Sequence, residues 1–270
     1  MFGCLLLVAA RAAAEDTTKI GQDIKQYAGT VVAARQADIA PRVDGLLQKV
    51  LFLPGQFVKQ NDVLFEFMPK EKELQLEIER ARLKRAEAKL QLADTELSNK
   101  QALRKKDAVA EVQLLQAQAT RDTAAADVEE ARTTVRIAEL TIKELTLYAP
   151  FDGIVSEALV PEGTFLKRDV ESKLARIIQL DPIRVSAEAP FDAYYERRQV
   201  TKTDEETLKN IELTLILPNG VEYSHKGRLV SGGYEFRVES QKIQVWAEFP
   251  NPDHLLRPGL KVMLQSQLVR

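Results

Sequence analysis

The sequence predicts an α+β multidomain fold, in which an antiparallel coiled-coil α-hairpin is inserted in a split β-sandwich and is followed by a small β-barrel. The window 70–149 contains no glycine or proline, although the chain has 12 glycines and 11 prolines. Similar Asp-Gly segments flank this window on both sides. The last third of the chain alternates apolar and polar residues between turn signals, which is typical of strands.

The composition is that of a globular protein and excludes several classes of function. Lys and Arg number 38 against 40 Asp and Glu, so the net charge is -2 and a broad basic field for nucleic acid is absent. The chain has one cysteine, Cys4, and two histidines, His225 and His254, too few for a disulfide or a four-ligand Cys/His zinc site. We therefore expect no nucleic-acid partner, no metal and no cofactor.

The first 14 residues resemble an export signal. The apolar run 2–10 is too short to span a bilayer, which takes about 20 residues. With the alanines that follow it, the run is typical of the core and cleavage site of a secretory signal peptide, although no basic residue precedes it. We expect 1–14 to direct export and 15–41 to add a strand to the barrel; a buried terminus is the alternative.

Residues 70–147 are predicted to form the helical hairpin, because Pro69 and Pro150 bracket a window free of helix breakers. Apolar residues recur there every seven positions, as in a coiled coil. They include Leu76, Leu83, Leu90 and Leu97 in the first half and Ala117, Ala124, Ala131 and Ala138 in the second. The sequence therefore predicts two helices that pack along one seam.

The register of this hairpin follows from where the chain folds back. A turn centred on Asp107 makes facing residues sum to 214, so that each of these leucines meets an alanine. Two layers of the seam contain a charged residue, Glu79 or Arg121. We expect both charged groups to reach outward to solvent.

The segments that flank the hairpin form an internal repeat, with copies at 43–59 and 151–167. Each copy has an Asp-Gly pair, a short apolar strand and a second glycine ten residues after the first. The glycines expected in turns are Gly45, Gly55, Gly153 and Gly163. Because neither copy can bury its apolar face alone, the two halves, 42–69 and 148–180, are predicted to pack as one sandwich.

The remaining residues, 181–270, predict a small β-barrel. Apolar alternation and turn signals such as Pro218-Asn219-Gly220 separate short β-rich runs. The predicted strands are 183–189, 211–217, 221–230, 243–249 and 260–268.

Duplicated Asp-Gly strands around a coiled-coil hairpin resemble the split lipoyl/biotinyl-like domain of periplasmic adaptors, the membrane fusion proteins of the HlyD family. Segment 145–155, LTLYAPFDGIV, is similar to that family's entry into the second half of the domain. Segments 246–253 and 255–262 are similar to the barrel ending of adaptors for resistance-nodulation-division transporters. The resemblance covers 26–268 and implies a short helix at 191–199. Relatives usually continue into a membrane-proximal domain, which we expect the chain to lack.

The resemblance implies a non-catalytic adaptor that links an inner-membrane transporter, of resistance-nodulation-division type, to an outer-membrane channel of TolC type. Such a protein serves multidrug efflux from the periplasm, associates with the inner membrane and forms a ring of identical copies. An enzyme is not expected, since hydrolase, phosphate-loop, dinucleotide and zinc-protease motifs are missing from the sequence. A structural coiled-coil scaffold is the alternative. A biotinyl/lipoyl carrier modified at Lys70 is less favoured, because helix takes the place of the carrier hairpin.

The hairpin tip is the predicted partner-binding site. Its residues are Leu103, Arg104, Lys105, Lys106, Val109 and Leu114. A two-helix turn cannot fully cover its own apolar residues, and the basic ones can meet acidic groups at a channel mouth. The family pattern at the tip is Arg, Leu, Ser and Leu; the aligned residues here are Asn99, Leu103, Ala110 and Leu114, so half the pattern is present. For Leu114 the alternative is that it closes the last coiled-coil layer.

Overall fold

The computed structural model describes residues 24–105, 110–168, 173–200 and 203–268. The signal-like segment 1–14, the expected turn at Asp107 and the tip residues Lys106 and Val109 lie outside these ranges. The chain divides into two compact units, one of Met1–Gln36 with Ile178–Arg270 and one of Ala37–Ile177. Both helices and sheets are present, so the fold is α+β and has more than one structural unit, as the sequence predicts.

The elements within the described residues follow one another along the chain. The helices are α1 Lys70–Arg104, α2 Glu111–Lys143, α3 Phe191–Val200 and α4 Asp204–Lys209. The first strands are β1 Lys25–Ala33, β2 Gln36–Ile39, β3 Gly45–Val50, β4 Phe57–Val58, β5 Val63–Phe67, β6 Thr146–Tyr148 and β7 Gly153–Val155. The later strands are β8 Phe165–Leu166, β9 Ala175–Ile178, β10 Ile183–Pro190, β11 Ile211–Ile216, β12 Arg228–Ser231, β13 Lys242–Phe249 and β14 Lys261–Leu268.

Helices α1 and α2 pack against each other along a seam of mostly small and apolar residues. The buried side chains are Leu76, Glu79, Ala86, Ala93 and Leu97 on α1 and Ala124, Val128 and Val135 on α2. Each of these residues belongs to the seam that the heptads predict. Ion pairs join the helices at both ends of the seam, from Arg121 to Asp94 and from Arg80 to Glu139, each at 2.9 Å.

Glu79 does not reach outward, contrary to the expectation for this layer. Only 6% of its side chain is exposed, and its carboxylate accepts hydrogen bonds from Gln75 Nε2 at 2.6 Å and Arg82 Nη1 at 2.9 Å. A buried carboxylate is tolerated where hydrogen bonds and a counter-charge replace its water. Arg121 does reach out of the seam, where Asp94 and then Asp122 raise the pKa of its guanidinium.

The packing of this seam predicts a clear difference between two alanines of α2. Ala124 is 7% exposed, so Ala124→Leu forces a larger side chain into a filled layer and should cost about 1–3 kcal/mol of unfolding free energy. Ala126 is exposed, and Ala126→Leu should change stability by less than about 0.5 kcal/mol. Urea denaturation followed by helical circular dichroism measures both, and equal effects would contradict the packing of α2 on α1.

The same unit contains two four-stranded sheets, in the orders β6-β5-β3-β8 and β2-β9-β7-β4. They enclose one apolar core, whose most buried side chains include Leu47, Phe65, Val155, Leu174 and Ile177. The two repeat copies exchange strands: Gly45 pairs with Leu166, and Gly153 pairs with Val58. Adding 108 to Gly45 and to Val58 gives the numbers of Gly153 and Leu166, so the two pairings are equivalent under one shift.

Hydrogen bonds repeat under the same shift of 108 residues. The N–H of Leu47 donates to the carbonyl of Thr164 at 2.9 Å, and that of Val155 donates to the carbonyl of Gln56 at 3.1 Å. The two aspartates of the repeat behave alike. Asp44 accepts a hydrogen bond from the N–H of Arg168 at 2.5 Å, and Asp152 accepts one from the N–H of Gln60 at 2.6 Å. Each aspartate therefore ties its own copy to the other.

The turn prediction is wrong for the first glycine of each copy. Gly45 and Gly153 are the first residues of β3 and β7, and neither has a positive φ. A Cβ on Gly45 would lie 3.2 Å from the ring of Phe67, so close packing rather than backbone conformation favours glycine there. Gly55 and Gly163, by contrast, have φ of 76° and 82°, which glycine adopts without strain.

The paired aspartates predict matching effects in the two copies. Asp44→Ala and Asp152→Ala each remove one charge-assisted hydrogen bond between the copies, and each should lower the free energy of unfolding by about 0.5–1.5 kcal/mol. Asp127→Ala on the exposed face of α2 is the control and should have little effect. Denaturant titration compares all three; an effect confined to one copy would contradict the equivalence of the two contacts.

The other unit is built on a six-stranded sheet in the order β11-β14-β1-β10-β13-β12. The segment before β12 returns to β11, where Gly227 and Leu213 form an antiparallel bridge. The predicted strand 221–230 is therefore strand only from Arg228 onward, with isolated bridges before it. Alternate residues of β1, such as Tyr27 and Val31, are buried inside this sheet.

Candidate functional site

The candidate site is the end of the helix pair where α1 stops and α2 begins. The N–H of Lys105 continues the helical pattern by donating to the carbonyl of Gln101 at 3.2 Å. Helix α2 follows Ala110, whose backbone is extended and whose side chain has no oxygen to cap the helix. The N–H of Gln113 donates to the carbonyl of Ala110 at 3.1 Å. This end is thus held by backbone hydrogen bonds alone among the described residues.

The structure places the predicted tip residues in two environments. Leu103 is 44% exposed in the last turn of α1, and Arg104 and Lys105 are also exposed. Leu114 is half-buried, as expected of a residue that closes the last layer of the seam. Lys106 and Val109 lie outside the described residues. Of the predicted apolar residues described here, Leu103 is the one available to a partner.

Two further apolar residues belong to this site. Val112 and Leu115, in the first two turns of α2, are 73% and 63% exposed. They are three residues apart, so they lie on the same side of the helix. The heptad analysis missed them because it assigned apolar residues only to the seam. Their position off the heptad and next to the turn was the signal that could have identified them.

The charges at this end also have a structural role. Arg104 lies in the last turn of α1 and Glu111 in the first turn of α2, where each opposes the partial charge of its helix end. A basic residue here is therefore not by itself a sign of a partner. The exposed leucines and valine have no such structural explanation, and we define the tip surface as Leu103, Val112 and Leu115.

The missing cap of α2 gives a stability prediction. Ala110→Ser supplies a hydroxyl that can accept a hydrogen bond from a free N–H of the first turn, and should raise the free energy of unfolding by about 0.5–2 kcal/mol. Ala119→Ser in the exposed middle of α2 should instead lower it by a few tenths of a kcal/mol. Thermal unfolding of the two variants measures this, and effects of the same sign would refute the assignment of Ala110 as the cap.

Other kinds of site are not found in the part of the chain that the structure describes. No cluster of three or more His, Cys, Asp or Glu residues in that part could hold a metal ion. None of the helices described is both long enough and apolar enough to cross a bilayer.

Comparison with known proteins identifies relatives by sequence. The probable efflux pump periplasmic linker protein SepA of Pseudomonas putida is 29% identical over 239 residues, 87% of this chain and 58% of that protein. The efflux pump periplasmic linker BepD of Brucella suis is 30% identical over 252 residues, 87% of this chain and 60% of BepD. The multidrug efflux pump subunit AcrA of Escherichia coli K12 is 26% identical over 238 residues, 87% and 59% of the two chains. The chain thus spans less than two thirds of the length of these relatives. No model of a protein family matches it.

Solved structures with a similar fold carry related names. The membrane fusion protein Spr0693 of Streptococcus pneumoniae R6 matches with a TM-score of 0.67 at 13% identity, over 91% of this chain and 100% of that one. MacA of Actinobacillus actinomycetemcomitans matches with a TM-score of 0.61 at 20% identity, over 91% of this chain and 78% of MacA. At these identities the likeness shows a shared fold.

Proposed function

Because the chain is homologous to the periplasmic linker proteins of efflux pumps, which are membrane fusion proteins, we propose that it is itself a non-catalytic periplasmic adaptor of an efflux pump. The observation that carries this proposal is the extent of the match, since 87% of the chain aligns with linkers of several pumps. The alignment therefore reaches into both structural units and is not limited to a common coiled coil.

The proposed assignment of parts follows the sequence. Residues 70–147 act as a coiled-coil hairpin, 42–69 and 148–180 as the halves of a lipoyl-like sandwich, and 181–270 with a strand from 15–41 as the barrel. Two features support it: α1 and α2 share a buried seam, and the two repeat copies exchange equivalent strands. In this assignment the sandwich closes only when both copies are present, so it holds the base of the hairpin.

The proposed partners are an inner-membrane transporter, of resistance-nodulation-division type, and an outer-membrane channel of TolC type. Further copies of the chain are the third partner, because one narrow helix pair cannot enclose a conduit. The tip surface supports docking to a channel, since three exposed apolar side chains flank the end of the helix pair. The proposed location is the periplasm, in association with the inner membrane.

The carrier alternative receives no support from the position of Lys70. This lysine is the first residue of α1, directly after Pro69, and so continues into a 35-residue helix. A carrier lysine needs a short exposed turn between two strands, which this position does not provide. The scaffold alternative shares the helix pair with the adaptor and is separated from it by experiment.

The test is the loss of export in cells. Deleting the encoding gene should raise the accumulation of an exported dye and increase drug susceptibility, and the intact gene supplied on a plasmid should restore both. Co-purification after cross-linking in the periplasm should recover a transporter and a channel with the protein. A deletion strain with unchanged accumulation of a broad panel of dyes and drugs, and no such partners after cross-linking, would contradict the adaptor function and favour the scaffold.

A further inference from the structure

The six-stranded unit contains a cavity of about 60 Å³ on the inner side of its sheet. Aliphatic side chains of four strands form its walls: Ile211, Leu213, Ile243, Val245 and Leu264. Residues Ala193 and Tyr194 of α3 and Leu208 of α4 also line it, as do Arg197 and Arg198. The cavity is therefore mainly apolar and has its charged residues on the helix α3.

Small side chains leave this space open. Ala189 of β10 and Ala193 of α3 are 8% and 5% exposed, and Ser266 of β14 is 3% exposed. Elsewhere inside the same sheet, large residues such as Phe249 and Leu215 are completely buried. A volume of 60 Å³ is about four to six times what one water molecule needs. The space therefore suits a molecule of about four to six non-hydrogen atoms.

One polar group points to a ligand in this cavity. The hydroxyl oxygen of Tyr27 is buried and has no hydrogen-bond partner among the residues that the structure describes. Tyr27 is 9% exposed as a whole and lines the cavity from β1. Buried hydroxyl groups are nearly always hydrogen-bonded, because leaving one unpaired is costly. Water is a poor filling here, since a stable buried water needs two to four polar partners and these walls are aliphatic.

We propose that this cavity is a binding site for a compact, mainly apolar molecule that carries one hydrogen-bonding group, such as a short aliphatic alcohol. The polar group of the ligand bonds the hydroxyl of Tyr27, and its hydrocarbon part packs against Leu213, Ile243 and Leu264. The site lies in the six-stranded unit and does not depend on the tip surface or on the adaptor function.

The test is a titration of the full chain, labelled at the methyl groups of isoleucine and leucine, with 1-butanol, followed by nuclear magnetic resonance. Saturable shifts in the millimolar range are expected at Ile211, Leu213, Ile243 and Leu264, as befits a ligand of five heavy atoms. The methyl groups of Leu145 and Leu147, buried in the other unit, are the internal control and should not shift.

Two variants separate the polar contact from the cavity itself. Tyr27→Phe removes only the hydroxyl group and should weaken butanol binding about 2- to 10-fold, while the shifts caused by dissolved xenon remain. Ala189→Leu fills the cavity and should abolish the response to both probes. If the filled variant does not fold, Tyr27→Phe decides the question of the polar contact alone.

Three results would overturn the proposal. Shifts that rise linearly with butanol over all methyl groups would show a solvent effect without a site. Absence of shifts at the cavity methyls with both butanol and xenon would show that the space is closed or filled with water. Equal butanol affinity for the wild type and for Tyr27→Phe would show that the hydroxyl of Tyr27 does not bind the ligand.

Discussion

Replacing Asn251 with alanine is expected to lower the free energy of unfolding of the six-stranded unit by about 3–5 kcal/mol. The side chain of Asn251 is fully buried. Its Nδ2 donates hydrogen bonds to the carbonyls of Leu180 at 2.9 Å and Leu256 at 3.0 Å. Its Oδ1 accepts from the N–H of Leu256 at 3.1 Å and from the hydroxyl of Tyr223 at 3.3 Å. One amide therefore satisfies polar groups from three parts of the chain.

The size of the effect follows from the groups left behind. Asn251→Ala leaves two carbonyls and one N–H without this partner in a buried region, and each such group costs about 1–3 kcal/mol. The loss is smaller for Tyr223, whose hydroxyl also donates to the carbonyl of Pro250 at 2.9 Å. Asn251→Asp should not rescue stability at neutral pH, because a carboxylate cannot donate to the two carbonyls and is costly to bury.

Guanidinium denaturation followed by the fluorescence of Trp246, the single tryptophan, measures the stability of this unit. Asn219→Ala is the matched control. Its side chain is exposed and accepts one hydrogen bond, from the N–H of Val221 at 3.1 Å, so about 1 kcal/mol or less is expected. A loss below about 1 kcal/mol for Asn251→Ala would show that the buried amide is not what holds these segments together.

The role of Asn251 could not be predicted from the sequence, because its partners are distant along the chain. Leu180 is 71 residues away and Tyr223 is 28 residues away. The segment around Asn251 attracted notice only through its similarity to a family. The helix pair, by contrast, was predictable because the heptad is a local pattern and the absence of glycine and proline marks its bounds.

The repeat was predictable for the same reason, but the task of each of its residues was not. The shared Asp-Gly pairs indicated equivalent segments, and the structure shows that the aspartates tie the two copies together. Gly45 was interpreted as a turn residue because Asp-Gly is common in turns. Its actual constraint is the ring of Phe67, which another strand brings to 3.2 Å from the position of a Cβ. Contacts of this kind depend on tertiary packing.

The candidate site was only partly predictable. Leu103 interrupts the heptad series near the turn, which marked it as a residue without a place in the seam. Val112 and Leu115 are as far from the seam pattern, yet a search for heptads does not weigh residues outside it. Glu79 shows the converse, since a charge in a heptad suggested exposure and the carboxylate is buried beneath Arg82.

If the chain is an adaptor, Leu103→Asp is expected to reduce export from cells about tenfold or more, to the level of the deletion strain. Leu103 is 44% exposed, and with Val112 and Leu115 it forms an apolar surface that the helix pair does not cover. A carboxylate in the middle of an apolar contact must lose its water on docking without gaining a partner, which is costly. Val112→Asp, on the other helix, should have the same effect on export.

Neither substitution should unfold the protein, because both side chains are mainly exposed. Aspartate lowers helix propensity by about 0.7 kcal/mol at most, so helicity should be retained. Leu92→Asp is the matched control, since Leu92 is a 61% exposed leucine of α1 well before the tip and its replacement carries a similar propensity cost. This control should export normally, and all three variants should still co-purify with the transporter. Normal export by Leu103→Asp and Val112→Asp, at wild-type expression, would exclude the tip surface as the docking site and leave the scaffold as the better account of the helix pair.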